Sequence, residues 1–93
     1  MPKTDEASAE LLERLAVNIR SLRVKARLSQ EAFAQKSDIS RPTISRIENG
    51  DHNPRLSTIE HLANALGVDL VTLLQRPLTR RPLIVEPFDE FDS

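Results

Sequence analysis

The chain has 93 residues, no cysteine, and only three aromatic residues, all of them phenylalanine. A chain of this length predicts one small domain, and without cysteine neither a disulfide framework nor a thiolate metal site can form. A core built from Leu, Ile, Val and Ala favours an all-α fold. The sequence has no apolar run as long as a membrane span and no signal-peptide core at its N-terminus, which predicts a cytoplasmic protein without membrane contact.

The formal net charge of −1 hides an uneven distribution along the chain. Residues 1–10 and 77–93 each have a net charge of −2, whereas residues 11–76 contain ten basic and seven acidic residues, a net charge of +3. We therefore divide the chain into a flexible N-terminal segment (1–10), a helical domain (11–76) and a C-terminal tail (77–93). The mildly basic domain is compatible with a nucleic-acid partner but does not by itself predict one.

The first predicted helix is capped by Ser8 and runs to about Ala26. Its apolar residues recur every three or four positions, which is the spacing of one buried helical face. These residues are Leu11, Leu12, Leu15, Ile19, Leu22 and Ala26.

Two short helices joined by a tight turn are predicted between residues 28 and 49. Ser29 caps the first of them, and Phe33 is its large apolar anchor. Asp38 then breaks the helix and Ser40 caps the next one. In that helix Ile44 and Ile47 are predicted to face inward, while the remaining side offers polar side chains. Arginine, serine and asparagine on the open side of a short helix make DNA the leading candidate ligand. The residues on this side are Arg41, Pro42, Ser45, Arg46 and Asn49.

Two further helices complete the predicted domain. Gly50 ends the third helix in a left-handed conformation, and the capping-box pattern at residues 57–60 predicts the start of the fourth. Gly67 ends the fourth helix. Asp69 then caps a short fifth helix from residue 70 to about residue 75.

Five sequence motifs occur in a fixed order along this helical pattern. Taken together they resemble the lambda-repressor-like (Cro/XRE) regulators over about residues 11–76. The resemblance implies a five-helix lambda-repressor-like domain with the helix-turn-helix at helices two and three, and the function of a sequence-specific DNA-binding transcription regulator. The motifs are NIRxLR at 18–23, LSQE at 28–31, SRxTISRIENG at 40–50, NPRLxTI at 53–59 and LAxALGV at 62–68.

The resemblance also implies that the third helix lies in the major groove of double-stranded DNA. Arg41 and Arg46 are the strongest candidates for base contacts, since arginine can donate two hydrogen bonds to guanine. Thr43 and Ser45 are placed against a base edge or a phosphate. Pro42 offers a rigid apolar surface to a thymine methyl group.

Further residues are implied to bind the DNA backbone. Gln30 matches a family position that binds a phosphate and supports the third helix, and the exposed amides at the start of helix two add an anion site. Ser29, Ser40 and Asn49 are additional phosphate candidates. Arg55 matches a position that can approach the minor groove.

Two pairs of residues have implied structural roles. The resemblance assigns Arg23 and Glu48 to a buried ion pair between helices one and three rather than to DNA. Arg27 and Asp38 stand where family members often have glycine, and aspartate tolerates left-handed backbone geometry better than arginine does.

A single such domain recognises only a few base pairs, so the resemblance implies a homodimer on a palindrome with half-sites about 34 Å apart. Apolar residues of the fifth helix and of the tail are assigned to the dimer interface, with capping of the core as the alternative for the helix. In the tail, residues 83–85 are predicted to pair across the dimer or to cover the partner subunit. The assigned residues are Leu70, Val71, Leu73, Leu74, Leu83, Ile84 and Val85.

Two alternatives concern the biological role. The acidic and aromatic residues 86–92 could bind another protein, as in an antitoxin that inhibits a toxin and represses its own operon. A controller protein of a restriction–modification system is similarly small and dimeric. His52 and His61, the only histidines, are predicted to be ordinary surface residues, and no spacing suggests a catalytic triad or a metal site. The sequence thus predicts no enzyme activity and no cofactor.

Overall fold

A computed structural model describes residues 8–77, which form five α-helices and contain no strand. The all-α fold with a helix-turn-helix at the second and third helices agrees with the prediction. Within residues 8–77 no helix is long and apolar enough to cross a membrane. The helices are α1 (Ala9–Lys25), α2 (Gln30–Ser37), α3 (Arg41–Glu48), α4 (Leu56–Leu66) and α5 (Leu70–Leu74).

Serine side chains begin the first three helices, as predicted. Ser8 Oγ accepts a hydrogen bond from the Leu11 amide at 3.0 Å, and Ser29 Oγ accepts one from the Ala32 amide at 2.9 Å. Ser40 Oγ caps α3 in the same way, at 3.3 Å from the Thr43 nitrogen. Each cap satisfies an amide that has no partner inside its helix.

Two non-glycine residues adopt left-handed geometry at the ends of helices. Asp38 closes α2 with φ 62°, and Arg27 follows α1 with the same φ. These are the two positions at which the resemblance implies that glycine is common. The turn at Asp38 therefore forms as predicted, and α1 ends at Lys25, one residue before the predicted end.

Three predicted boundaries need correction. α1 begins at Ala9, as the predicted Ser8 cap requires, so residues 9 and 10 belong to the helix and not to the N-terminal segment 1–10. α4 begins at Leu56 and not at the predicted capping box, because the Ile59 amide donates to the Arg55 carbonyl at 3.1 Å and so puts Arg55 at the N-cap. α5 ends at Leu74, and Asp69 begins it with its backbone, since its side chain accepts no bond from the first turn.

The core lies where all five helices meet. α1 packs against α3, α4 and α5, and α2 packs against α3 and α4. The anchor predicted in α2 is correct, because Phe33 is completely buried, as are the two inward-facing isoleucines of α3. The largest fully buried side chains are Phe33, Ile19, Ile44, Ile47, Leu62 and Leu73.

The last helix is fastened to the first by side chains of α1. Asn18 Nδ2 donates to the Leu73 carbonyl at 3.0 Å and to the Gln75 carbonyl at 2.7 Å. Arg14 Nη1 donates to the Leu74 carbonyl at 3.2 Å. These bonds satisfy carbonyls that the short helix leaves free at its C-terminal end.

Burial corrects one of the predicted dimer residues. Leu73 has no exposed surface, so it belongs to the core of the single chain and cannot form an intersubunit contact. Leu70 and Leu74 are half-buried against the same core, whereas Val71 is 63% exposed. The other assigned positions, Leu83, Ile84 and Val85, lie outside the described residues.

Candidate nucleic-acid interface

The exposed side of α3 is the candidate interface. Successive helical residues lie about 100° apart, so Ile44, Ile47 and Glu48 fall on one side of α3 and are all buried. Seven positions separate Arg41 from Glu48, so Arg41 lies at the edge of the buried side. The remaining surface of α3 is open to solvent, where Ser45 is half-buried and the other predicted residues are exposed. It presents the residues predicted from the sequence, namely Arg41, Pro42, Ser45, Arg46 and Asn49.

This exposed side is basic because the only acidic residue of α3 is turned inward. The carboxylate of Glu48 is only 3% exposed and lies 2.7 Å from Arg23 Nε of α1. A second bond joins Arg23 Nη2 to Glu48 Oε1 at 3.1 Å. The paired geometry confirms the predicted ion pair and leaves Arg41 and Arg46 as the charged groups of α3 that face solvent.

Two further contacts extend the ion pair to α2. Gln30 Nε2 donates to Glu48 Oε1 at 3.1 Å, and Arg23 Nη1 donates to the Leu28 carbonyl at 2.8 Å. One carboxylate thus receives hydrogen bonds from both α1 and α2. The network fixes the orientation of α3 relative to the start of α2, which is what a helix that positions side chains on a rigid ligand requires.

Sequence reasoning missed the bond from Gln30 to Glu48. The motif placed Gln30 at the interface and Glu48 inside, and the residue spacing of 18 gives no local signal that the two touch. Gln30 is half-buried, so it lies at the boundary between the network and the candidate interface. Gln30 therefore connects the buried ion pair of Arg23 and Glu48 to the exposed side of α3.

The remaining predicted contact residues surround the exposed side of α3. Ser29 and Ser40 are exposed at the N-termini of α2 and α3. Ser40 Oγ donates to Thr43 Oγ1 at 2.8 Å, and this bond holds the half-buried Thr43 hydroxyl against the N-cap of α3. Arg55 is exposed at the N-cap of α4, beyond the turn that follows α3.

This geometry defines a class of protein. Two short helices meet at a left-handed turn, and the second offers an exposed basic and polar side while its other side is locked to the core. That arrangement is a helix-turn-helix of the DNA-binding transcription regulators. Among residues 8–77, no cluster of histidine and carboxylate side chains is suited to hold a metal ion.

Comparison with known proteins identifies the family. The helix-turn-helix family model HTH_3 matches residues 19–73, more than half of the chain. The chain therefore belongs to this Cro/XRE-type family of DNA-binding regulators, as the sequence motifs implied.

Individual relatives support the assignment. The control protein C.SmaI of Serratia marcescens is 40% identical over 76 residues, which cover 82% of this chain and 90% of that protein. The crystal structure of the hypothetical transcription factor NHTF from Neisseria matches with a TM-score of 0.71 and 35% identity, over 83% of this chain and 90% of the other. The restriction–modification controller protein C.Esp1396I, crystallised as a tetramer with its natural 35 base-pair operator, has a TM-score of 0.63 and 30% identity, over 68% and 83% of the two chains.

Proposed function

We propose that this protein controls transcription by binding a palindromic operator as a homodimer, with α3 of each subunit in the major groove. The observation that supports this most strongly is the basic exposed side of α3, backed by the buried contacts from Arg23 and Gln30 to Glu48. The operator complex of C.Esp1396I, a structural relative, adds support for binding as an oligomer.

Specificity is assigned to the exposed side of α3. Arg41 and Arg46 donate to guanine N7 and O6, and each such bidentate contact contributes about 1–3 kcal/mol of discrimination. Pro42 packs on a thymine methyl group. Ser45 and Thr43 bind a base edge or a phosphate, with Thr43 restricted by its bond to Ser40.

The residues around α3 are assigned to the backbone contacts that fix the position of the protein on the DNA duplex. The Gln30 amide has two N–H groups; one donates to Glu48, and the second is directed to a phosphate oxygen. Ser29, Ser40 and Asn49 bind neighbouring phosphates, and Arg55 approaches the minor groove.

The exposed side of α5 is assigned to the contact between subunits. Val71 is 63% exposed and is flanked by the half-buried Leu70 and Leu74, so a second copy could cover all three side chains. Pairing two domains doubles the length of DNA that is recognised, which a single small domain needs in order to find one site in a genome.

Among the biological roles, we favour that of a controller protein of a restriction–modification system. The similarity to C.SmaI extends over 90% of that protein and 82% of this chain, so the two chains correspond over most of their lengths. The antitoxin alternative depends on residues 86–92, which lie outside the described residues. Neither role involves catalysis or a cofactor. A nuclease gene next to this one would support the controller role, whereas a toxin gene would support the antitoxin role.

Footprinting on the DNA upstream of the protein's own gene tests the proposal. We expect two protected half-sites about 34 Å apart, one turn of the duplex. Arg46→Ala should then lower the affinity of the dimer for that site by at least about 30-fold, because one bidentate base contact is lost in each of the two half-sites, and should affect random DNA much less.

Lys36→Ala is the matched control for this experiment. Lys36 is an exposed basic residue in the last turn of α2, outside the exposed side of α3. Its loss removes the same charge and should change both affinities only slightly. Equal effects of the two substitutions on the footprinted site would contradict the placement of α3 in the groove.

A further inference from the structure

The outer side of α1 has an exposed apolar strip. Val17 and Val24 are 40% and 57% exposed, and they are two of the four large hydrophobic residues that residues 8–77 leave open to solvent. Ser21 lies between them on the same side of the helix. We refer to Val17, Ser21 and Val24 as the outer strip of α1.

Charges of opposite sign flank the outer strip at its two ends. Glu13 precedes it and lines the same surface as Val17. Arg20 and Lys25 lie beside its second half. Along the helix direction the order is therefore acidic at Glu13, apolar with Arg20 alongside, and basic at Lys25.

The tail has the complementary order. Arg80 and Arg81 come first, the apolar residues 83–85 follow, and four acidic residues are found between Glu86 and Asp92. A segment laid parallel to α1 would thus place its arginines by Glu13, its apolar residues on the outer strip and its first carboxylate by Lys25. Each of the three parts meets a chemically matching surface.

The chain leaves α5 close to this surface. Asn18, next to Val17 in the sequence, holds the Gln75 carbonyl at 2.7 Å, and Arg14 holds the Leu74 carbonyl. From the Gln75 carbonyl held by Asn18, the six residues to Arg81 span up to about 20 Å. Asn18 and Glu13 are about 7.5 Å apart along the axis of α1 and about 140° apart around it, a separation of about 13 Å. The connection is therefore long enough.

The lengths of the two surfaces also agree. Glu13 and Lys25 are twelve helical residues apart, about 18 Å along the axis. An extended chain from Arg81 to Glu86 spans about 17 Å. One register therefore aligns both charged ends at once.

We propose that residues 81–86 of the chain dock in extended form along the outer strip of α1 of the same molecule. A linker of only a few residues gives the tail a millimolar effective concentration at this surface, which favours the chain's own tail over that of another copy. This proposal goes beyond DNA binding and does not depend on it.

Cysteine pairs test the docking in the full-length protein, because the natural chain has no cysteine. Val17→Cys with Leu83→Cys, which the proposed register places side by side, should close within one chain under a short bifunctional maleimide. The matched control is Leu56→Cys with Leu83→Cys, since Leu56 is 65% exposed but lies at the start of α4. We expect the first pair to close about tenfold faster, as its effective concentration is higher.

The mass of the cross-linked product and the rate at which it forms decide between the outcomes. A cross-link between two chains, measured by mass, or equal rates for the two cysteine pairs, overturns the proposal. A charge exchange then tests the register in the cysteine-pair protein. Glu13→Lys or Arg81→Glu alone should slow closure, and the double exchange should restore it. Single changes without effect, or a double exchange without recovery, overturn the docking.

Discussion

Glu48 shows how a single acidic residue can belong to a helix that faces a polyanion. Its carboxylate is withdrawn from the exposed side of α3 and receives two hydrogen bonds from Arg23 and one from Gln30. Burying a charge is costly unless partners replace its hydration. Here the three donors keep Glu48 in place, and the same bonds hold α3 at a fixed angle to α1 and α2.

Removing this carboxylate should be strongly destabilising. Glu48→Ala leaves the Arg23 guanidinium, 12% exposed, without its anionic partner, and breaking a buried pair costs about 3–5 kcal/mol in the free energy of unfolding. Urea denaturation measures the change. The control is Glu10→Ala, which breaks the exposed pair with Arg14 and should cost less than about 1 kcal/mol. Similar losses for both variants would refute the structural role of the network.

The ion pair was predictable and its third partner was not. The motif places Arg23 and Glu48 at positions that the family pairs, so the resemblance alone implied the contact. Gln30 bonds to Glu48 only at the angle at which α2 and α3 pack against each other. That angle depends on the packing of several helices and is not encoded in any local pattern.

At the level of the helices, two corners are formed by residues other than glycine. Arg27 and Asp38 both adopt φ 62°, a region that costs a residue with a Cβ about 1–2 kcal/mol. Aspartate and asparagine enter it more readily than arginine, because their short side chains can hydrogen-bond locally. The corner after α1 is therefore the more strained of the two.

Arg27→Gly should raise the free energy of unfolding. Relief of the left-handed strain is partly offset by the greater entropy of glycine in the unfolded chain, about 0.4–1 kcal/mol, so we expect a net gain of up to about 1 kcal/mol. Asp38→Gly is the comparison and should gain less. Thermal denaturation of both variants gives the order. A loss of stability in Arg27→Gly would show that its side chain contributes more than its backbone costs.

Local signals predicted the starts of α1, α2, α3 and α5 but failed at the start of α4 and at the inward orientation of Leu73 in α5. A serine followed by an amphipathic run is sufficient where no other start competes. At α4 the capping-box pattern of residues 57–60 predicts a start at residue 58, but the helix begins two residues earlier, at Leu56. At α5 the apolar pattern of five residues could not show that Leu73 faces the core, because the bonds that orient this helix come from Arg14 and Asn18.

Replacing a side chain by alanine should have different effects on the two sides of α5. Leu73→Ala opens a cavity in the core and should cost about 2–5 kcal/mol of stability. Val71→Ala, on the exposed side, should leave the single chain nearly as stable and shift the protein from dimer to monomer. Denaturation together with sedimentation at several concentrations separates these effects. An unchanged dimer in Val71→Ala would remove α5 from the proposed subunit interface.

At the scale of the whole molecule, charge is divided between a basic domain and acidic ends. The domain at residues 11–76 has a net charge of +3, whereas the tail contributes −2. DNA attracts the domain and repels the acidic end of the tail, so the tail should weaken binding to any DNA sequence. The net charge of −1 is therefore a poor guide to the ligand of this protein.

Ending the chain after Pro77 should raise its affinity for random DNA a few-fold at low salt, with the gain fading as screening shortens the range of the charges. A full-length variant isolates the electrostatic effect. Neutralising Glu86 and Asp89 to their amides removes the same net charge of −2 as the truncation, keeps the apolar residues 83–85 and should reproduce most of the gain. Fluorescence anisotropy across a salt series measures both proteins. If truncation raises the affinity but neutralisation does not, the tail acts through its bulk or its contacts. If neither raises it, the acidic end lies too far from the DNA to be felt.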